Sequence, residues 1–502
     1  MVNSTRAGAE YYLSVFRTSS LGDLARVADA VTLVRLPTGE IAGTVYRGRQ
    51  HTSGGFVMRR PSTSPGVDLS ADDDVVAICQ DLLRIDSSNF GDGSGPGERR
   101  AAEYVAGLLS EAGIEPDLFE SAPGRTSLVA RVPGEDSSRG ALLVHGHLDV
   151  VPALAEDWQV PPFAGEEKDD CLWGRGAVDM KDTDAVVLAT VRAMRREGRR
   201  PPRDLVIAFL ADEEAGGSFG SHWLVEHHPD LFDGVTEAVG EVGGFSVDLL
   251  GRRTYLLQTA EKGIAWLRLT ATGRAGHGSQ VNGDNAVTRL AAAVGRIGAH
   301  RWPVEVPATV RAFFTGVREQ TGIEVAVGDE VDVDRLRELF GTTSRWLEAT
   351  VTTTSNPTAL SAGYKHNVIP GQASALIDCR YLPGGRDQLM STIAELAGEG
   401  VTIEIVHHDV ALEVPFEGSL VAAMKTALLA EDPGAAVLPY CLSGGTDNKA
   451  FSRLGITGYG FAPLRLPAEL DFAGMFHGVD ERVPLESLRF GVRTFARFLD
   501  LT

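Results

Sequence analysis

Along most of the chain, apolar residues recur in two alternating periods. From Ser70 the pattern is helical: Ser70 and Asp73 form a capping pair ahead of the apolar positions Val75, Cys79 and Leu82. A second helix is expected over residues 98–112, stopped by Gly113. Residues 127–132 and 141–144 read as strands, and the second is a short continuous apolar run, as a buried strand should be. A helix over residues 182–196 ends at Gly198, and residues 205–210 form another buried strand. This alternation predicts a layered α/β unit with a mainly parallel sheet.

After Glu261 the texture changes. Residues 265–272 alternate like a half-buried strand, and residues 285–297 are amphipathic with helical spacing. A strand at 373–381, a helix at 388–397 and a strand at 401–406 repeat the order. Two strand–helix–strand passages predict a small two-layer α+β domain inserted into the first unit. Residues 311–349 read as extra helical material within that insert, and from about Val414 the first unit resumes with a helix over 419–430. Residues 1–69 read as an extension with no assignable role. They hold a possible hairpin (31–36 and 41–46, turning at Pro37-Thr38-Gly39), then a Ser/Pro/Gly linker at 61–66. A chain of 502 residues exceeds what one core usually supports, about 250–300 residues. The expected division is therefore 1–69, then 70–260 together with 413–502, with 261–412 inserted.

Composition excludes more than it assigns. A net charge of −21 argues against nucleic acid, which needs clustered Lys and Arg. No uncharged apolar run reaches the roughly 18 residues of a membrane span. The start, MVNSTRAGAEYYL, lacks the basic and apolar regions of a secretion signal. Cys79, Cys171, Cys379 and Cys441 are scattered without a Cys-x-x-Cys pair, which fits a reducing cytoplasm.

Five segments carry candidate chemistry. His145-Gly-His147-Leu-Asp149 begins where a buried strand ends, and ligands of open α/β sheets sit beyond the carboxyl ends of strands. Asp179 stands before the 182–196 helix, where it is either a cap or a carboxylate bridging two metals. Glu213 and Glu214 follow the 205–210 strand; adjacent acids repel unless cations compensate, so one suits a metal ligand and the other a base. Glu241 lies beside another short apolar run, and His477 lies in Met475-Phe-His477-Gly-Val-Asp480-Glu-Arg482. Histidine nitrogen and carboxylate oxygen together make a plausible ligand list for zinc.

In this order the five segments resemble the di-zinc aminoacylase and carboxypeptidase family, which includes glutamate carboxypeptidase and succinyl-diaminopimelate desuccinylase. The resemblance runs from about Ser70 to the end. It implies a zinc-peptidase-like catalytic domain with an inserted lid that also forms a homodimer. It implies two zinc ions per chain, with Co²⁺ or Mn²⁺ as other possibilities. His147 and Glu241 would hold one ion, Glu214 and His477 the other, and Asp179 would bridge them. Asp149 would orient His147, Glu213 would be the general base, and His145 would be structural. His277 would reach a neighbouring subunit's active site. Asn367 and Arg380 would hold the substrate's carboxylate, with Gly445 and Thr446 in a loop lining the same pocket. The reaction expected is cleavage of an amide bond next to a carboxylate, by a dipeptidase or carboxypeptidase. A deacylase acting on N-acyl amino acids is the alternative, and a non-catalytic binding protein would be expected to lack a ligand or the base.

Overall fold

The computed structural model describes residues 31–35, 41–46, 70–325, 333–340 and 344–502. Within residues 1–68, a compact unit of its own, Val31–Arg35 pairs antiparallel with Ile41–Tyr46, as the expected hairpin requires. The linker expected at 61–66 lies outside the described residues. The second compact unit is Leu69–Thr502.

Its frame is a ten-stranded mixed sheet. At the centre Leu205–Leu210, Ala141–His147, Val235–Gly240 and Thr457–Gly460 run parallel, in that order. Arg125–Val132 and Asp117–Ala122 extend one side antiparallel. Towards the other side the long strand Arg252–Glu261 pairs with Phe245–Leu249 and, in parallel, with Ala436–Leu442. The run LVIAFL of Leu205–Leu210 is buried at every position because both faces of the sheet are covered. Leu205, Ile207 and Phe209 pack with Ile78, Leu188 and Leu488 on one face. Val206, Ala208 and Leu210 pack with Leu224 and Phe451 on the other. Ser70 caps Ala71–Leu83 as expected, accepting from the Asp73 amide and donating to its carboxylate at 2.9 Å.

One strand outruns its apolar pattern. The run stops at Val144, yet Ala141–His147 stays in register with its neighbour as far as His147↔Leu210. His145 tolerates this burial because its Nε2 lies 3.0 Å from Asn448 Oδ1, and desolvation lowers its pKa to about 4, so the ring stays neutral.

A separate four-stranded antiparallel sheet has the order Thr354–Ala362, Gln372–Tyr381, Gly263–Thr272, Val401–Asp409. Ala265, Leu267 and Leu269 alternate inward with Ala375, Ile377 and Cys379, against Leu290 and Ile297 of Ala286–Ala299 and Leu389 and Ile393 of Arg386–Ala397. That is the two-layer arrangement the sequence predicts. The helices Ala308–Thr321, Val333–Phe340 and Ser344–Ala349 depart from expectation. They lie between strands of the small sheet in sequence, but Val310, Phe313, Phe314 and Val317 form an apolar stripe that packs on Leu256, Leu438 and Tyr440 of the large sheet. Among the described residues no helix is long and apolar enough to cross a membrane.

Candidate metal centre and active site

Three neighbouring parallel strands end at one edge of the large sheet, and each delivers an acid or a histidine there. His147 closes Ala141–His147, Glu213 and Glu214 follow Leu205–Leu210, and Glu241 directly follows Val235–Gly240. Asp179 arrives from the loop before Lys181–Arg196. That helix has Met180 at its N-cap and no side-chain cap bond, so the Asp179 carboxylate is not a cap. One of its oxygens, Oδ1, lies 3.0 Å from His147 Nε2, and the other, Oδ2, lies 3.3 Å from His477 Nε2. His147 Nε2 is 3.5 Å from Glu241 Oε2, and His477 Nε2 is 3.0 Å from Glu214 Oε2. Two groups result, His147–Asp179–Glu241 and Asp179–Glu214–His477, joined by the shared aspartate.

These spacings fit metal ions. Two ligand atoms each about 2.1 Å from a tetrahedral zinc lie about 3.4 Å apart. The four nitrogen–oxygen separations run from 3.0 to 3.5 Å. Glu214 Oε1 is buried without a hydrogen-bond partner among the described residues, an oxygen that a cation would satisfy. Glu213 falls outside both groups, with its Oε2 3.9 Å from His147 Nε2.

The electrostatics describe carboxylates crowded together out of water. Burial, then the neighbouring Glu241, holds Glu213 well above the usual carboxylate range. Burial raises Glu241 to about 8 and, with Asp179 beside it, raises Glu214. Burial also opposes ionisation of Asp179, but hydrogen bonds from His147 and His477 outweigh it and hold its pKa low. His477 is raised to about 10 by its bonds to Asp179 and Glu214. Protons here occupy the places that divalent cations would take.

Asp149 meets His147 through its main chain as well as its carboxylate. His147 Nδ1 lies 3.0 Å from the main-chain carbonyl of Asp149 and 3.6 Å from its carboxylate, so the ring is oriented mainly by the backbone. The carboxylate accepts from the amides of Glu213 at 3.1 Å and Glu214 at 3.0 Å, and from Asn89 Nδ2 at 2.9 Å. It therefore fixes the turn that carries the base candidate. A second brace joins the loops of Asp179 and His477. Buried Arg175 pairs with buried Glu481 and donates to the Gly478 carbonyl at 2.8 Å, while Glu481 accepts from the Gly176 amide at 2.6 Å. Arg175 and Glu481 both stand inside the sequence motifs, next to the expected ligands, but no spacing rule pairs residues so far apart in the chain. Asp212, Val242 and His477 adopt left-handed backbone with φ of 67°, 55° and 57°. Each such residue stores on the order of 1–3 kcal/mol, held in place by its surroundings.

The metal groups open into a cavity of about 340 Å³. Val242, Phe245, Tyr440, Leu442 and Phe476 form an apolar wall. From the small sheet come Ile264, Trp266 and Arg380, on the face opposite its own core, and the loop bearing Gly445 and Thr446 closes another side. Arg380 is held by Asp378 through Nε–Oδ1 at 2.7 Å and Nη2–Oδ2 at 3.1 Å. His222, His407 and Asp409, which the sequence does not single out, also line the cavity, and His222 Nε2 lies 2.7 Å from Asp409 Oδ2. His277 and Asn367 do not line it. Both are exposed on a small ladder in which Gly276–His277 pairs with Val368–Ile369, and His277 Nδ1 is 2.8 Å from Ser279 Oγ.

A layered α/β sheet whose carboxyl edge gathers two carboxylate–histidine groups around one shared aspartate is the arrangement of a metal-dependent hydrolase. The chain belongs to Peptidase family M20/M25/M40, whose model matches residues 143–501. It is 28% identical over 409 residues to human aminoacylase-1, covering 80% of this chain and 89% of that protein. It is 27% identical over 427 residues to the N-fatty-acyl-amino acid synthase/hydrolase PM20D1 of Xenopus tropicalis, covering 80% of each. Its fold matches the M20 family metallo-carboxypeptidase Sso-CP2 of Sulfolobus solfataricus with a TM-score of 0.66 at 18% identity, over 86% of this chain and 99% of that one.

Proposed function

We propose that this enzyme hydrolyses the amide bond of N-acyl amino acids, with two zinc ions per chain and Glu213 as general base. The observation that carries the choice of substrate is the state of the cavity's carboxylates outside the metal groups. The free amine of a dipeptide needs an open acidic partner. Glu213 is the base, Asp409 is taken by His222 and by the Val410 amide at 2.9 Å, and Asp447 is almost fully buried. A blocked nitrogen makes no such demand, and the apolar wall suits an acyl group. The names of the two curated relatives, an aminoacylase and an N-acyl-amino acid hydrolase, support the same class. A dipeptidase or carboxypeptidase, the sequence's first expectation, is the second reading, favoured by the fold of the carboxypeptidase neighbour.

Two bound divalent cations would polarise the scissile carbonyl and bring the pKa of a water towards neutrality. Asp179, His147 and Glu241 would hold one, and Asp179, Glu214 and His477 the other; Co²⁺ or Mn²⁺ suits the same donors. Glu213 takes the proton of the attacking water and returns it to the leaving nitrogen. The turn pinned by Asp149 keeps its carboxylate in place. Arg380, already oriented by Asp378, binds the substrate's carboxylate through its remaining N–H groups. Gly445 and Thr446 shape the pocket beside it. His277 and Asn367 act from a second copy of the chain, joined through the small sheet's domain in a homodimer; their exposure away from their own cavity supports this. In this reading the small-sheet domain within residues 261–412 supplies the lid, and the helices at 308–349, seated on the large sheet, do not. The four free cysteines support a cytoplasmic setting.

A panel of N-acetyl amino acids, the matching dipeptides and their carboxamide-capped forms tests the substrate class. N-acetyl amino acids should show the highest kcat/KM, and capping the carboxylate should abolish it. Faster turnover of free dipeptides would favour the second reading.

A further inference from the structure

The chain passes from the large sheet to the small one at Glu261–Gly263 and returns at Asp409–Leu412, and the two passages run side by side. Ala260 and Glu261 pair with Glu413 and Leu412 on the large-sheet side, and Ile264 pairs with Asp409 on the small-sheet side. Between these rungs the carbonyls of Lys262 and Val410 meet a third partner. The ammonium of Lys449, fully buried, donates to the Lys262 carbonyl at 2.7 Å and to the Val410 carbonyl at 2.6 Å. Its remaining approach is to Glu261 Oε2 at 3.6 Å, and the other Glu261 oxygen accepts from Thr446 Oγ1 at 3.3 Å.

Lys262 repeats the device one step further on. Its own buried ammonium donates to the carbonyls of Ala349 at 2.9 Å and Thr352 at 2.7 Å, where the chain leaves the helices on the large sheet and re-enters the small one. The cavity loop rests on the same lysine. A Cβ on Gly445 would meet Lys449 Cε at 2.5 Å and Ile264 Cδ1 at 2.9 Å, so the loop packs directly on the lysine's aliphatic stem and on the first strand of the small sheet. Burying an ammonium is expensive unless its donors are satisfied, and both lysines use theirs on chain crossings rather than on surface acids.

We infer that Lys449 and Lys262 are positioning residues, a two-lysine pin that joins three of the four described crossings between the two sheets, at 261–263, 349–352 and 409–412, to the substrate loop at 443–447. The pin sets where Arg380, carried by the small sheet, stands relative to the metal groups on the large one. Neither ammonium touches the reacting atoms. This inference rests on the proposed joint action of Arg380 and the metal groups, but its physical core, the local clamping of the crossings, does not.

The test is hydrogen exchange, read by mass spectrometry, on the full-length metal-loaded enzyme and its K449M and K449R variants, alongside kinetics on an N-acetyl amino acid. In K449M, amides at 261–264 and 409–412 should exchange at least about tenfold faster while the strands Ala141–His147 and Leu205–Leu210 keep their protection. kcat/KM should fall about tenfold, mainly through KM, with metal content unchanged, and K449R, which can still donate to two carbonyls, should recover part of both effects. Unchanged exchange at the two crossings would overturn the inference, whatever happens to activity. Faster exchange throughout the chain would do the same, showing a general core role. If K449M does not fold, G445A, whose methyl displaces the lysine stem, is read by the same pattern. If no N-acetyl amino acid is turned over by the wild type, the exchange result still decides the clamp, and the substrate assignment fails separately.

Discussion

Glu213 and Glu214 are adjacent in sequence yet differ in what surrounds them. Glu214 reaches His477 and belongs to a metal group, whereas Glu213 stands outside both groups on a turn fixed by the Asp149 carboxylate. E213Q should therefore keep its metal and fold and lose about 10²- to 10⁴-fold in kcat, the usual worth of a general base. Metal analysis beside a rate assay checks this, and near-normal turnover would move the base elsewhere. The pKa values carry a second consequence. In the metal-free protein Glu241 is raised to about 8 by burial and His477 to about 10 by its carboxylate partners, so both hold protons at neutral pH. A cation must displace those protons, since ligands bind deprotonated. Zinc affinity should rise as pH climbs from about 6 through 8, where Glu241 is half deprotonated, and on towards 10, where His477 gives up its proton, with protons released on binding below those points. Titrations in buffers of different pH read this directly, and a pH-independent affinity would show that these groups are not ligands.

At the scale of elements, the site depends on loops that are held from behind. Arg175 and Glu481 tie the Asp179 loop to the His477 loop, so R175K keeps the charge but loses the fork that reaches both Glu481 and Gly478. This variant should weaken the Asp179–Glu214–His477 group about 10–100-fold relative to the His147 group. Competition with a chelator would resolve two unequal affinities, and a uniform loss would contradict the brace. The same elements show what a sequence can disclose. The strand Leu205–Leu210 and the helix Arg386–Ala397 are legible because their apolar periods are unbroken, and His147, Glu214 and Glu241 stand out because each lies at the end of an apolar strand. The end of Ala141–His147 is not legible, because a buried histidine satisfied by Asn448 looks polar in a one-dimensional pattern. Nor is the seating of Ala308–Thr321: its stripe shows that a partner exists, and only the fold shows that the partner is the large sheet. The lysine pin joins residues 39 to 187 positions apart and the Arg175–Glu481 brace residues 306 apart, separations that no local spacing reveals.

For the whole molecule, what one chain supplies differs from what a second would add. One chain gathers the two carboxylate–histidine groups, Glu213, Arg380 and the apolar wall; His277 and Asn367 are exposed and do not line that cavity. In a homodimer that exchanges His277, mixing E213Q with H277A should restore activity at one site of each mixed dimer. A mixture as inactive as its parents would place His277 at no shared site. The claim beneath all of these is the paired metal centre bridged by Asp179. Its most direct test is to strip the enzyme with a chelator and return zinc in measured amounts while following both bound metal and amide hydrolysis. Full activity should be reached at two zinc ions per chain. Full activity with one ion bound, or with none, would contradict it.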